Sequence, residues 1–245
     1  MTTTDGAPIR ALILQHEDAT PAGHFTDWLE ERRGSPHVHR IDLEDGDVDP
    51  RDYDVVVSLG SEFAAFDDSH DFVPREAALM ERAVEADVPI LGLCFGGQLL
   101  ARVLGGRGFR ADRSEIGWLP VRSRDGDTLP EGPWFQWHFD SFTLPEGAEL
   151  IADSDVGPQA FVAGRSLGLQ FHPEVTVEMM DEWVRTYRHE LDADGVDPDS
   201  LLGETKRRAA ESRRMAWQLF DRFAERAGLS KRRGPEGTGE AAAVG

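Results

Sequence analysis

The residues best placed to do chemistry in this chain form two short groups, 78 positions apart by their numbering (94 to 172). The first is Gly92-Leu93-Cys94-Phe95-Gly96, which follows the apolar run Pro89-Ile90-Leu91 and precedes Gly97-Gln98-Leu99-Leu100-Ala101. Strand, Gly-x-Cys-x-Gly, helix is the sulfur counterpart of the nucleophile elbow, in which a sharp turn lifts a nucleophile above the carboxyl end of a sheet. Glycine two residues to either side lets strand and helix approach closely enough for that turn. At the start of the helix, the dipole and the unpaired N–H groups favour thiolate over thiol. The N–H of Phe95 is aimed at the same spot and can stabilise a tetrahedral oxyanion. A lone free cysteine is ordinarily a small core residue; the glycine spacing is what lifts Cys94 out of that class.

The second group is Phe171-His172-Pro173-Glu174, which ends the apolar run Leu167-Gly168-Leu169-Gln170. In an extended chain, residues i and i+2 face the same side, so Glu174 can hold the imidazole of His172 while Pro173 fixes the backbone between them. A carboxylate that orients an imidazole, and an imidazole that takes the thiol proton, complete a nucleophile, base and orienter set. Taken singly, His172 reads as a satisfied core histidine and Glu174 as a first-turn carboxylate of the next helix. Together, behind a buried strand and downstream of an elbow cysteine, they read as chemistry.

Such a set needs a rigid frame. Apolar runs at 9–14, 38–43, 54–59 and 88–93 predict strands, and helical periodicity at 23–33, 74–86 and 97–104 alternates with them. That alternation predicts an α/β fold in three layers, a mostly parallel sheet flanked by helices on both faces. After 106 the pattern changes to short strands around Phe109 and at 116–121, 134–137, 148–152, 160–163 and 167–171, an antiparallel extension. Helices are expected at 176–191 and 204–227, joined by a polar connector at 192–201. The domain reading is a flexible N-terminus at 1–8, one catalytic domain at 9–190, a helical appendage at 191–229 and a disordered tail at 230–245.

The chain has 245 residues, 40% of them hydrophobic, enough for one globular domain with an appendage. Its 46 acidic against 26 basic residues give a net charge of −20, which repels phosphates and argues against nucleic-acid binding. One cysteine excludes an intrachain disulfide. The absence of an export signal and of a long apolar run points to a cytoplasmic protein off the membrane. The histidines at His37, His39 and His70 read as solvated surface groupings, so no metal and no cofactor are expected. The 204–227 helix carries Lys206, Arg207, Arg208, Arg213 and Arg214 opposite its apolar stripe, either a solvated face or a docking face for a partner or a second copy of the chain.

The two motifs, in this order and spacing, closely resemble the class I glutamine amidotransferase family over about residues 9–190, nearest to stand-alone proteins similar to the amidotransferase domain of GMP synthase. The resemblance implies a flavodoxin-like sheet and a Cys94–His172–Glu174 triad that hydrolyses the side-chain amide of glutamine through a γ-glutamyl thioester. It places a second oxyanion donor at Gly60 or Ser61, in the loop Ser58-Leu59-Gly60-Ser61-Glu62. It assigns substrate contact to Gln98 and to the strand and loop carrying Trp137, His138 and Phe139. It also implies ammonia passed to a separate synthetase, since no Gly-x-x-x-x-Gly-Lys-Ser/Thr loop for nucleotide phosphates is present. Three other readings use the same residues: a γ-glutamyl peptide hydrolase, a catalytically silent binding subunit, and a cysteine that senses oxidants.

Overall fold

The structure is a computed structural model, and it describes residues 8–44, 46 and 48–229. The expected tail at 230–245, and all but the last residue of the expected flexible N-terminus, lie outside the described residues.

Five short strands run parallel through the middle of the molecule. They are β1 (Arg10–Gln15), β2 (Ser35–Arg40), β3 (Val55–Ser58), β4 (Ile90–Leu93) and β10 (Ser166–Leu169). Three more continue the same sheet in antiparallel fashion: β9 (Pro158–Ala163), β8 (Glu149–Asp153) and β6 (Arg122–Ser123). The order across the eight strands is β2-β1-β3-β4-β10-β9-β8-β6. A separate two-stranded sheet pairs β5 (Gly108–Leu119) with β7 (Trp134–Phe142).

The pleat sends alternate residues of the central strands to opposite faces. Ile13, Val55, Val57, Leu91 and Leu93 meet α1 (Gly23–Glu31) and the long α6 (Pro198–Arg226) through Phe25, Trp28, Leu219, Phe220 and Phe223. Leu12, Leu14, Val56 and Ile90 meet α2 (Phe72–Glu85) and α3 (Phe95–Val103) through Val73, Met80, Leu99 and Leu100. The inner parallel strands β1, β3, β4 and β10 are thus buried on both sides, which is why they read as largely apolar runs, whereas the edge strand β2 is mostly exposed. A third cluster lies between the small sheet and the pair α4 (Val177–Thr186) and α5 (Arg188–Asp194), built on Phe135, Met180, Trp183 and Leu191.

Several expectations are corrected. The second strand lies at Ser35–Arg40 rather than 38–43, because its partners are Arg10 to Gln15 in parallel register; of the apolar residues at 38–43, Ile41, just past its end, is pulled into the core while Val38 and Leu43 stay exposed. The run at 167–171, expected in the antiparallel extension, is a central strand that pairs parallel with β4 and antiparallel with β9. The helix expected at 176–191 breaks at Tyr187, and the connector expected at 192–201 is only three residues long between Asp194 and Pro198. Gly195 closes α5 in the left-handed region at φ 69°, and the Asp197 carboxylate caps α6 by accepting from the Ser200 N–H at 3.0 Å, with proline in the first turn. His39 is buried beside Glu44, 3.1 Å away, instead of solvated. His37 bonds to the Tyr53 hydroxyl, and the His70 ring lies 4.2 Å from that of Phe63. No group of three or more potential metal ligands occurs among the described residues, and none of their helices is long and apolar enough to cross a membrane.

Candidate active site

The carboxyl ends of β3, β4 and β10 open onto one cleft, where an open parallel sheet ordinarily binds its ligand. Gly60, Ser61, Cys94, Phe95, Gln98, Trp137, His138, Phe139 and His172 all line it, and Glu174 is buried just behind His172. The elbow is present at Cys94, with φ 51° and ψ −106°, a region that a residue with a Cβ rarely adopts. The flanking glycines are required by close approach. A Cβ on Gly92 would lie 2.4 Å from the Gly96 carbonyl oxygen, and one on Gly96 would lie 2.3 Å from the Ser58 carbonyl oxygen. The Cys94 N–H donates to the Leu169 carbonyl at 2.8 Å, which ties the turn to β10. Phe95 is the first residue of α3, so its N–H has no acceptor inside the helix.

His172 Nδ1 lies 2.7 Å from Glu174 Oε1, and both side chains are almost wholly buried. The route to that contact differs from the extended i, i+2 geometry expected of the sequence. The chain turns at Pro173 and Glu174, and the turn brings the carboxylate round behind the ring. Burial opposes a charge on His172, but the Glu174 carboxylate, joined by Cys94, more than offsets it and pushes the imidazole up from 6.5 to about 10. His172 Nε2 has no hydrogen-bond partner. Gly60 sits against both groups: a Cβ there would be 2.9 Å from His172 Cε1 and 3.8 Å from Cys94 Cβ.

Around the sulfur, Gln170 Nε2 donates to Cys94 Sγ at 3.7 Å, and the Trp137 carbonyl oxygen is 3.8 Å from Sγ. Gln98 faces the cleft, yet its amide nitrogen is already engaged by Gln170 Oε1 at 3.2 Å and the Asp140 carbonyl at 3.3 Å. Trp137 Nε1 donates to Glu190 at 2.7 Å, and His138 Nδ1 lies 3.0 Å from the Asp140 carbonyl oxygen. His138 also pairs with Glu115, 3.2 Å away; burial tends to raise that carboxyl, but His138, Ser154 and Gln159 outweigh it and hold it below the usual range. Phe139 lies under the Arg110 guanidinium at 4.8 Å.

Sequence reasoning missed His16, Glu17, Arg110, Gln170, Tyr187 and Glu190, each of which lines the cleft or holds something that does, and Glu76, which holds His16 from behind. For Gln170 a signal was present, two residues before His172 on the same strand end. The others reach the site from distant segments, and no local pattern marks them.

Comparison with known proteins gives this geometry a family. The description "Glutamine amidotransferase class-I" matches residues 31–186. The glutamine-hydrolysing GMP synthase of Thermus thermophilus is 34% identical over 148 residues, 54% of this chain and 29% of that protein. The chain therefore spans less than a third of the length of such relatives; for the Aquifex aeolicus enzyme, 38% identical over 105 residues, the share is 21%. Among solved structures, a glutamine amidotransferase from Thermotoga maritima superposes with a TM-score of 0.83 at 30% identity, covering 90% of this chain and 100% of that one. With the family description covering more than half of the sequence and a fold match over 90% of the chain, the chain belongs to the class I glutamine amidotransferase family.

Proposed function

We propose that the chain hydrolyses the side-chain amide of glutamine through Cys94, His172 and Glu174, and releases ammonia for an acceptor on a separate synthetase. The observation that carries this reading is the buried His172–Glu174 contact of 2.7 Å, with the opposite ring nitrogen unpartnered in the cleft that the strained Cys94 shares.

The steps follow from those positions. The Cys94 sulfur bonds to the amide carbonyl carbon, and the carbonyl oxygen gains negative charge. The N–H groups of Phe95 and of the Gly60–Ser61 loop are the donors for that oxygen. His172 carries the proton taken from the thiol and delivers it to the leaving nitrogen as the C–N bond breaks, so ammonia departs and a γ-glutamyl thioester remains. A water molecule, deprotonated by His172, then cleaves the C–S bond, releasing glutamate and restoring the thiol. Glu174 holds the ring in one tautomer and stabilises its charged form. No step calls for a cofactor.

The test is incubation of the full chain with a chloroketone analogue of glutamine, followed by peptide mass mapping, alongside ammonia release from glutamine and from γ-glutamyl peptides. The expected result is one adduct on Cys94 and ammonia release that Cys94→Ala abolishes. Hydrolysis confined to γ-glutamyl peptides moves the substrate from glutamine to a peptide conjugate. Absence of both adduct and turnover rejects the triad.

A further inference from the structure

Two consecutive residues at the end of β1 grip the loop that follows β3 from behind. His16 Nδ1 lies 3.0 Å from the Gly60 carbonyl oxygen and donates to it. Its other ring nitrogen lies 2.7 Å from Glu76 Oε2, and Glu76 Oε1 accepts the Ser58 hydroxyl at 2.6 Å. All of this is buried: His16 and Glu76 expose none of their side chains. The His16 ring meets Phe95 edge-on at 4.6 Å and Phe72 at 5.5 Å. The next residue, Glu17, accepts the Ser61 hydroxyl at 2.7 Å and the Glu62 N–H at 3.3 Å on one oxygen, and the Thr20 hydroxyl at 3.0 Å on the other. Carbonyl, hydroxyl and N–H of three successive loop residues are therefore held by one dipeptide.

The consequence is directional. The Gly60–Ser61 peptide is trans, so its N–H points opposite to its carbonyl. The carbonyl points to His16 in the core; the Ser61 N–H then points the other way, to the side where Gly60 meets Cys94 and His172. Among the described residues neither the Gly60 nor the Ser61 N–H has an acceptor, whereas the N–H groups of Leu59, Glu62 and Phe63 all do. A peptide free to rotate would instead turn its carbonyl dipole toward the developing negative charge, replacing attraction with repulsion. Burial opposes the charge on His16, but Glu76 offsets it and keeps the ring pKa above its usual value, so the donor to Gly60 persists.

We propose that His16 and Glu17 are the positioning residues of the oxyanion hole: together they lock the Gly60–Ser61 peptide with its N–H toward Cys94, while the contact of His16 with Phe95 ties the second donor to the same anchor. This rests on the amide-hydrolase reading above. The role is distinct from that of the triad, because neither side chain lies on the path of the proton.

The experiment compares two reactions of the same sulfur. Hydrolysis of L-γ-glutamyl-p-nitroanilide passes through an oxyanion; alkylation by iodoacetamide displaces iodide at a saturated carbon and does not. For Glu17→Ala we expect kcat to fall about 10- to 100-fold with KM nearly unchanged, because the donor is misaimed rather than deleted. The alkylation rate of Cys94 should stay within about twofold of wild type, and Glu17→Gln, whose amide oxygen still accepts, should recover most of kcat. His16→Asn, whose side-chain N–H takes the place of Nδ1, should retain more kcat than His16→Ala. Should the buried His16 variants fail to fold, the Glu17 pair carries the test alone. Wild-type kcat in Glu17→Ala, or an equal fall in hydrolysis and alkylation, overturns the proposal. A wild-type chain that is alkylated on Cys94 yet hydrolyses no γ-glutamyl amide sinks the parent reading instead.

Discussion

Exchanging Cys94 for glycine and, separately, for alanine isolates the cost of the elbow from its chemistry. Both variants delete the sulfur, so their difference reports on a single Cβ held at φ 51°, ψ −106° in a nearly buried position. At an unstrained buried site, alanine wins for two reasons. Glycine loses about 0.5–1 kcal/mol through the greater freedom of its unfolded chain. Removing a buried methyl costs about 0.8 kcal/mol more. Alanine would then lead by about 1.5 kcal/mol. Holding a Cβ in this sparsely populated region opposes that by about 1–3 kcal/mol. At the middle of that range the order reverses, and the glycine variant is the more stable by about 0.5 kcal/mol. The two hypotheses differ by about 2 kcal/mol, well above the error of urea unfolding monitored by tryptophan fluorescence. A glycine variant about 1.5 kcal/mol less stable than the alanine variant refutes the strained elbow.

Other perturbations reach the site and its frame. Gly60→Ala places a Cβ 2.9 Å from His172 Cε1, so the ring must move; kcat/KM for a γ-glutamyl amide should fall about 100-fold with the circular dichroism spectrum unchanged. Glu174→Gln should lower kcat by about 10³- to 10⁴-fold, since the ring loses both its orientation and its charge partner. The same variant changes the pH dependence of stability. His172 titrates at about 10 in the folded chain against 6.5 unfolded, so its contribution is complete below 6.5 and fades as pH rises toward 10. Urea midpoints at pH 7 and pH 10 should diverge in wild type and converge in Glu174→Gln. Deleting residues 198–229 strips Met215, Leu219, Phe220 and Phe223 from one face of the sheet, a loss of about 6–12 kcal/mol at 1.5–3 kcal/mol per side chain. That rivals a whole domain's stability of about 5–15 kcal/mol, so soluble, cooperatively folding protein from the truncated gene contradicts the packing described.

How much of this was legible in the sequence depended on how local the determining contacts are. The elbow was legible because its three constraints, glycine, cysteine, glycine, fall within five residues and each answers a backbone clash. The pairing of His172 with Glu174 was legible too, although the turn at Pro173 achieves it by another geometry than the extended one expected. β5 was read only in fragments, because its two-stranded sheet leaves much of one strand in water and Arg110, Asp112 and Arg113 interrupt the pattern. The break at Tyr187 is hidden because both helices share one apolar stripe; Asp197-Pro198 marks the start of α6, but the polar composition around it reads as a connector. The clamp at His16 and Glu17 was illegible in principle. Its partners stand 44 and 60 residues away, and nothing in a polar pair after a strand says which loop will be laid against it.

The place of α6 in the core has a consequence for synthesis. The helix supplies Phe220 to the edge of Phe25 at 5.3 Å and to Trp28 at 5.8 Å, and Asp221 accepts the Trp28 indole N–H at 3.0 Å. A ribosome makes α1 some 190 residues before that cover, as the separation of 193 between Trp28 and Asp221 shows. At about 5–20 residues per second, the aromatic face of α1 waits roughly 10–40 seconds in the open. During that interval it is a surface for chaperones to shield or for neighbouring chains to find, so slowed translation late in the message should cost soluble yield more than the same delay early on.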